Sequence, residues 1–147
     1  MTPDAMNDQL EALVGFFEQL DRQDLQNLDR FYAPQAYFKD PFNEVRGPDE
    51  IRRLFEHMYQ VLEQPRFVIT ERVVQLPQCV LMWEFRFRFR RFDRQREQVV
   101  RGSSHLRLDA QGRVQYHRDY WDAAEELYEK IPGLGWLMRW LRQQANR

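Results

Sequence analysis

Cysteine is nearly missing from this sequence: Cys79 is the only one in 147 residues. One thiol cannot build an internal disulfide framework, and its use fits a reducing compartment. No N-terminal stretch joins a basic start to an apolar run, so no signal peptide is expected and the cytoplasm is the expected location. Nor is any apolar segment long enough to span a bilayer, which argues against a membrane partner. Linkers, low-complexity tracts and internal repeats are absent. "PGLG" lacks the lysine and spacing of a phosphate loop. Ser103 and Ser104 lie in no Gly-x-Ser-x-Gly elbow. The histidines show no ligand spacing, so neither a metal nor a cofactor is implied. A formal net charge of -1 lacks the basic excess of a nucleic-acid binder.

What is present is a globular composition, 43% hydrophobic and 31% charged, on a length that suits one domain spanning residues 1–147. Aromatics reach 14%, which suits a fold that lines a cavity with rings. Charge is unevenly spread. Residues 1–30 carry Asp4, Asp8, Glu11, Glu18, Asp21, Asp24 and Asp29 against Arg22 and Arg30. Residues 86–96 carry Arg86, Arg88, Arg90, Arg91, Arg94 and Arg96 against Asp93. Such patches pair with each other or with a second copy of the chain.

Leu10, Leu13, Val14, Phe17 and Leu20 recur at helical spacing within 7–22. A second helix is predicted to start with Asp24 as N-cap, bury Leu25, Leu28 and Phe31, and stop before Pro34. Residues 35–39 read as a short strand. In "RGPDE", Gly47 turns the chain and Pro48, Asp49 and Glu50 favour a helix start. Ile51, Leu54, Phe55, Met58 and Leu62 give that helix its buried face, and Pro65 ends it. The period then becomes alternating, with strands predicted at 66–76, 79–92, 96–109 and 113–121 in an antiparallel meander. After residue 122 comes a tail with a helix from about Trp136. Leu134, Leu137, Met138 and Leu141 share one face of that helix, a face suited to closing a pocket or packing on a partner. The order is α+β: a curved, mostly antiparallel sheet with three helices from the N-terminal half packed on one face.

In "LMWEFRFRFRRF", Leu81, Trp83, Phe85, Phe87 and Phe89 point one way. Met82, Glu84, Arg86, Arg88 and Arg90 point the other. The ring face needs cover from helices or a ligand. Alternation separates rings from guanidiniums, against the arrangement of an RNA-binding sheet.

Two places carry carboxylates that suggest chemistry. In "AYFKDPFNE", Asp40 stands among Tyr37, Phe38 and Phe42. There it either caps a backbone N–H of the turn or sits at the mouth of an apolar pocket as a base. In "YHRDYWD", His117, Asp119 and Trp121 share one face of the last strand, an arrangement open to acid–base pairing. The alternative is that Asp119 pairs with a strand arginine such as Arg107 and His117 is a satisfied sheet residue. His105 and His117 are placed to approach each other across paired strands.

The order of elements, with "FYAPQAYFKDPF", "GPDEIRRLF" and "HRDYWD", resembles the NTF2-like superfamily, and within it SnoaL-like and ketosteroid isomerase-like proteins. The likeness covers residues 8–122 and leaves 123–147 as a helical tail. It implies a cone-shaped half-barrel with a deep apolar pocket for a small apolar molecule, and a homodimer formed through the sheet. It implies Asp40, Asp119 and His117 as catalytic candidates. Phe16, Tyr37, Phe42, Phe55, Tyr59, Trp83, Phe85, Phe87, Ser104 and Trp121 are the ligand-binding candidates. In ketosteroid isomerase-like proteins a tyrosine and a protonated acid hold the oxyanion. Phe16 and Ser104 fall at those places here, so that constellation is incomplete. Epoxide hydrolase-like relatives need Arg and Asp two apart on a central strand, and Glu84 with Arg86 is the nearest match, reversed and on the wrong face. An acid–base enzyme of isomerase, cyclase or hydrolase type and a non-catalytic docking module both remain open. A cavity larger than a few waters, reached by Asp40 or Asp119, separates them.

Overall fold

Thr2 caps the first helix, its Oγ1 accepting from the Ala5 N–H at 3.1 Å, and Pro3 fits the first turn. The computed structural model describes residues 1–91, 93–126 and 134–146, the side chains of 134–138 and 142 excepted. Helix α1 runs Pro3–Glu18 and buries Leu10, Leu13, Val14 and Phe17, the face its spacing predicts. The next segment, Gln23–Arg30, is a 3-10 helix that buries Leu25 and Leu28. Asp24 does not cap it. Asp21 lies one turn earlier, and its Oδ1 accepts from the N–H groups of Gln23 and Asp24.

Strand β1 (Tyr32–Lys39) and a three-residue β2 (Glu44–Arg46) form a hairpin, and Gly47, at φ +84°, turns the chain into α2 (Gly47–Val61). Helix α2 has no side-chain cap on Arg46. Instead the Glu50 carboxylate reaches back to the Arg46 N–H at 2.8 Å. The long strands follow as β3 (Leu62–Gln75), β4 (Gln78–Phe89), β5 (Gln98–Leu108) and β6 (Val114–Tyr120). Strand β3 begins at Leu62, and Pro65 does not end the helix. Pro65 sits inside a register shift between Glu63 and Arg66, where its missing N–H costs the ladder nothing.

The six strands make one curved, unclosed sheet in the order β2-β1-β6-β5-β4-β3. The meander from β3 to β6 is antiparallel as its turns predict, and β1 adds beside β6 in parallel. This is an α+β half-barrel of the kind the element order implies. Side chains from α1, the 3-10 helix and α2 form one core with Tyr32, Ala36, Phe38, Leu81, Leu106, Leu108 and Val114 of the sheet. Among the described residues, α3 (Ala123–Glu126) and α4 (Leu134–Ala145) follow. Of the α4 face expected to close the pocket, the side chains of Leu134, Leu137 and Met138 lie outside the described residues, and Leu141 is exposed. Among the described residues, no helix is long and apolar enough to cross a membrane.

Arg86, Arg90 and Arg94 of the arginine stripe lie against acids of their own chain. Arg86 pairs with Glu84 at 2.8 Å, Arg90 with Glu63 at 3.3 Å, and Arg66 with Glu97. Glu84 is held below the usual carboxylate range, chiefly by the Arg86 hydrogen bond.

Burial, the largest cause in each case, makes one prediction. It raises Cys79 to about 11 and Tyr59 to about 12, and Tyr32 well above the usual phenol range. All three fold in neutral form, whereas in the unfolded chain the thiol ionises near ~8.5 and the phenols near ~10. Their contribution to stability is full below roughly pH 8.5 and is lost as pH rises through the folded values. Urea midpoints at neutral pH and at about pH 10.5 should show the fall, and Cys79 should resist thiol reagents in the native state while reacting in urea.

Candidate active site

Gly102 is where the site begins. Trp83 on β4 pairs with it across the sheet, and a Cβ at residue 102 would lie 2.6 Å from the indole Cη2. With no side chain there, the indole lies across β5 and donates from Nε1 to Ser104 Oγ at 2.9 Å. Ser104 in turn faces Asp119 on β6, its register partner, and donates to Oδ1 at 2.5 Å. His117, two residues back on the same face, meets the same oxygen through Nε2 at 2.6 Å. Behind it the Tyr32 hydroxyl lies 2.8 Å from His117 Nδ1.

Hydrogen bonding assigns the tautomer. Asp119 Oδ1 accepts, so Nε2 carries a proton. Tyr32 is fully buried, and His117 Nδ1 is the acceptor for its O–H among the described residues. The arrangement with Nε2–H toward Asp119 and Nδ1 toward the Tyr32 O–H gives each of these groups a partner. Phe38 packs against the imidazole edge-on at 4.7 Å and Phe17 at 5.9 Å, which fixes its plane. The result is a buried chain, Trp83–Ser104–Asp119–His117–Tyr32, that converges on one carboxylate. Both bonds fall on Oδ1, so Oδ2 is the oxygen left for a ligand.

Asp119 lies in the wall of a cavity of about 390 Å³. Helix α2 supplies Leu54, Phe55, His57 and Met58. Strands β3 and β4 supply Phe67, Trp83, Phe85, Phe87 and Phe89, and Trp121 and Val100 complete the far side. Asp40, Phe42 and Asn43 come from the β1–β2 turn. Phe42 is 52% exposed and Val61 46%, which marks the rim. A second, water-sized space of about 20 Å³ lies among Ser104, His117, Asp119 and Trp83.

The candidate residues separate cleanly. Asp119, His117, Ser104, Phe55, Trp83, Phe85, Phe87, Phe42 and Trp121 meet around the two spaces. Phe16, Tyr37 and Tyr59 are not in the cavity wall. Phe16 stacks on Phe31 at 4.4 Å, on the outer side of α1. Tyr37 stacks on Tyr116 at 5.5 Å, on the opposite face of the sheet. Tyr59 donates to the Leu20 carbonyl at 3.0 Å. Asp40 closes its turn and also stands in the cavity wall. Its Oδ1 accepts from the N–H groups of Phe42 at 2.8 Å and Asn43 at 2.7 Å, and the residue still lines the cavity.

Two expectations on the last strand are overturned. Asp119 does not pair with Arg107, whose guanidinium lies over the Tyr116 ring on the other face. His105 does not meet His117. It pairs in register with Arg118, so its ring turns outward to Gln78. Among the described residues, no group of three or more metal-type side chains is gathered. The Glu84–Arg86 pair is on the outer face and does not reach the cavity.

Sequence reasoning missed Phe67, Phe89, His57 and Asn43 as wall residues, and Tyr32 as the end of the hydrogen-bonded chain. Phe67 and Phe89 could have been found, since alternation puts both on the ring face. Tyr32 could not, because its partner is 85 residues away.

The SnoaL-like domain family matches residues 13–117. The chain belongs to that family. No curated protein matches it. Solved structures of SnoaL-like and related folds do. A ketosteroid isomerase-like protein from Catenulispora acidiphila DSM 44928, in complex with trimethylamine, is 14% identical at TM-score 0.67, covering 86% of this chain and 92% of that one. An NTF2-like protein of unknown function from Burkholderia pseudomallei K96243 is 18% identical at TM-score 0.69, covering 80% and 92%. An LEH-like epoxide hydrolase from M. tuberculosis is 15% identical at TM-score 0.67, covering 84% and 89%. At these identities the likeness establishes the fold of this SnoaL-like chain and leaves its chemistry to its own residues.

Proposed function

We propose that this SnoaL-like protein binds a small, largely apolar molecule in the cone and performs general acid–base chemistry on it with Asp119, supported by His117. One observation carries the reading: a carboxylate fixed by Ser104 and His117 stands in the wall of a ring-lined cavity of about 390 Å³. Folding alone does not favour such a space, because unfilled apolar volume destabilises a core. Rings supply affinity without direction, and Asp119 Oδ2 supplies the polar contact that orients a reacting proton. Asp40, at the rim and bonded to its own turn, is a second carboxylate of the site. We assign it to ligand contact and turn closure.

The chemistry fits proton transfer at an acidic C–H or O–H, as in an isomerase or cyclase. The water-sized space beside Ser104 and Asp119 also allows hydrolysis. Native mass spectrometry of protein purified from its own host should show a co-purifying small molecule that unfolding releases. A chain found only at its bare mass, with no binding of the neutral dye Nile red, would instead leave a docking module.

The same proposal includes a homodimer through the outer face of the sheet, where Val68 and Tyr120 are exposed side chains of β3 and β6. Light scattering at twice the chain mass supports it, and a monomer mass at high concentration removes it.

A further inference from the structure

We infer that the ligand carries a positive charge: an aromatic or otherwise apolar amine, held with its ammonium group toward Asp119 and Asp40. This inference rests on the pocket reading above and adds the charge of the occupant.

Among the described residues, the cavity wall holds two carboxylates, Asp119 and Asp40, and no lysine or arginine. His117 and Ser104 both meet Asp119 on Oδ1, which leaves Oδ2 for the ligand. The other titratable side chain of the wall among the described residues is His57. The nearest cations by sequence face elsewhere. Lys39 pairs with Glu44 at 3.2 Å, and Arg118 lies over the Tyr120 ring at 4.7 Å on the far side of the sheet.

The rest of the wall suits a cation too. Phe42 meets Trp121 edge-to-face at 5.5 Å beside Asp40, and Trp83 lies in T-shaped contact with Phe67 at 5.5 Å beside Asp119. Ring faces attract an ammonium group, tryptophan most strongly, and a desolvated pocket strengthens that attraction. An anionic ligand would bring a third negative charge beside two carboxylates among largely apolar walls. A neutral ligand would use the rings and leave the second carboxylate without a partner from the ligand.

Three probes that share one ring system separate these cases: naphthylmethylamine, naphthylmethanol and naphthoate. Each is titrated into the full chain near neutral pH by calorimetry, with quenching of tryptophan fluorescence as the second readout. The amine should bind at least about tenfold more tightly than the alcohol, and naphthoate most weakly. Asp119→Asn and Asp40→Asn should each erode the preference for the amine while the affinity for the alcohol holds, which also shows that the variants are folded. Equal binding of alcohol and amine, or tightest binding of naphthoate, overturns the charge assignment and leaves the apolar pocket standing. Failure of all three probes to bind overturns the pocket reading as well.

Discussion

Asp119→Asn is expected to lower kcat by about a hundredfold to ten-thousandfold at saturating ligand, the usual loss when a positioned general base is removed. Asparagine keeps the shape of the side chain, and its Oδ1 can still accept from Ser104 Oγ and His117 Nε2. The fold and the cavity therefore survive, and the loss reports chemistry rather than structure. Saturation matters, because an amine ligand would also lose affinity on losing the charge. Asp40→Asn gives the contrast. Its backbone contacts to Phe42 and Asn43 fall on an oxygen that asparagine also has, so binding of a cation should weaken while kcat is retained. If kcat falls with Asp40→Asn and not with Asp119→Asn, the base has been misassigned between the two. Circular dichroism and the thermal midpoint of both variants complete the comparison.

That contrast also measures what could be read from residue order. The sheet was legible where alternation is uninterrupted. Leu81, Trp83 and Phe87 fall on the buried face as their period requires, and β4 was placed to within three residues. Legibility failed where a local rule competed with pairing. Pro65 looks like a helix stop, yet the helix ends four residues earlier and the proline sits in a bulge of β3. Asp24 has the chemistry of an N-cap, and Asp21 does that work. At the site, "YHRDYWD" fixed which face His117 and Asp119 share, since alternation decides it. It could not fix their partners. Ser104 lies 15 residues from Asp119 and Tyr32 lies 85 from His117, distances that only sheet register resolves. Phe16 failed for a related reason. Its neighbour Phe17 takes the inward position on α1, one residue being enough to turn a side chain about 100° around a helix.

Gly102→Ala is the second substitution with a large expected effect. The new methyl would meet the Trp83 indole at 2.6 and 2.9 Å and the Trp121 Cβ at 3.0 Å. Trp83 cannot swing clear at little cost. It is 5% exposed, wedged edge-on against Phe67, and bonded to Ser104. Overpacking of this kind costs about 1–3 kcal/mol, and loss of the Trp83–Ser104 bond adds about 1 kcal/mol. A thermal midpoint lower by several degrees is expected. Gly15→Ala is the matched control. Nothing lies within 4 Å of a Cβ there, inside α1, so alanine should stabilise by about 0.5–1 kcal/mol. The consequence for function follows from the chain of bonds. An indole pushed off β5 frees Ser104 Oγ to rotate, and Asp119 then loses one of the two donors that fix Oδ1. Gly102→Ala should therefore shift the tryptophan emission and weaken ligand binding together. Unchanged emission with unchanged affinity would show that the indole does not set the floor of the site.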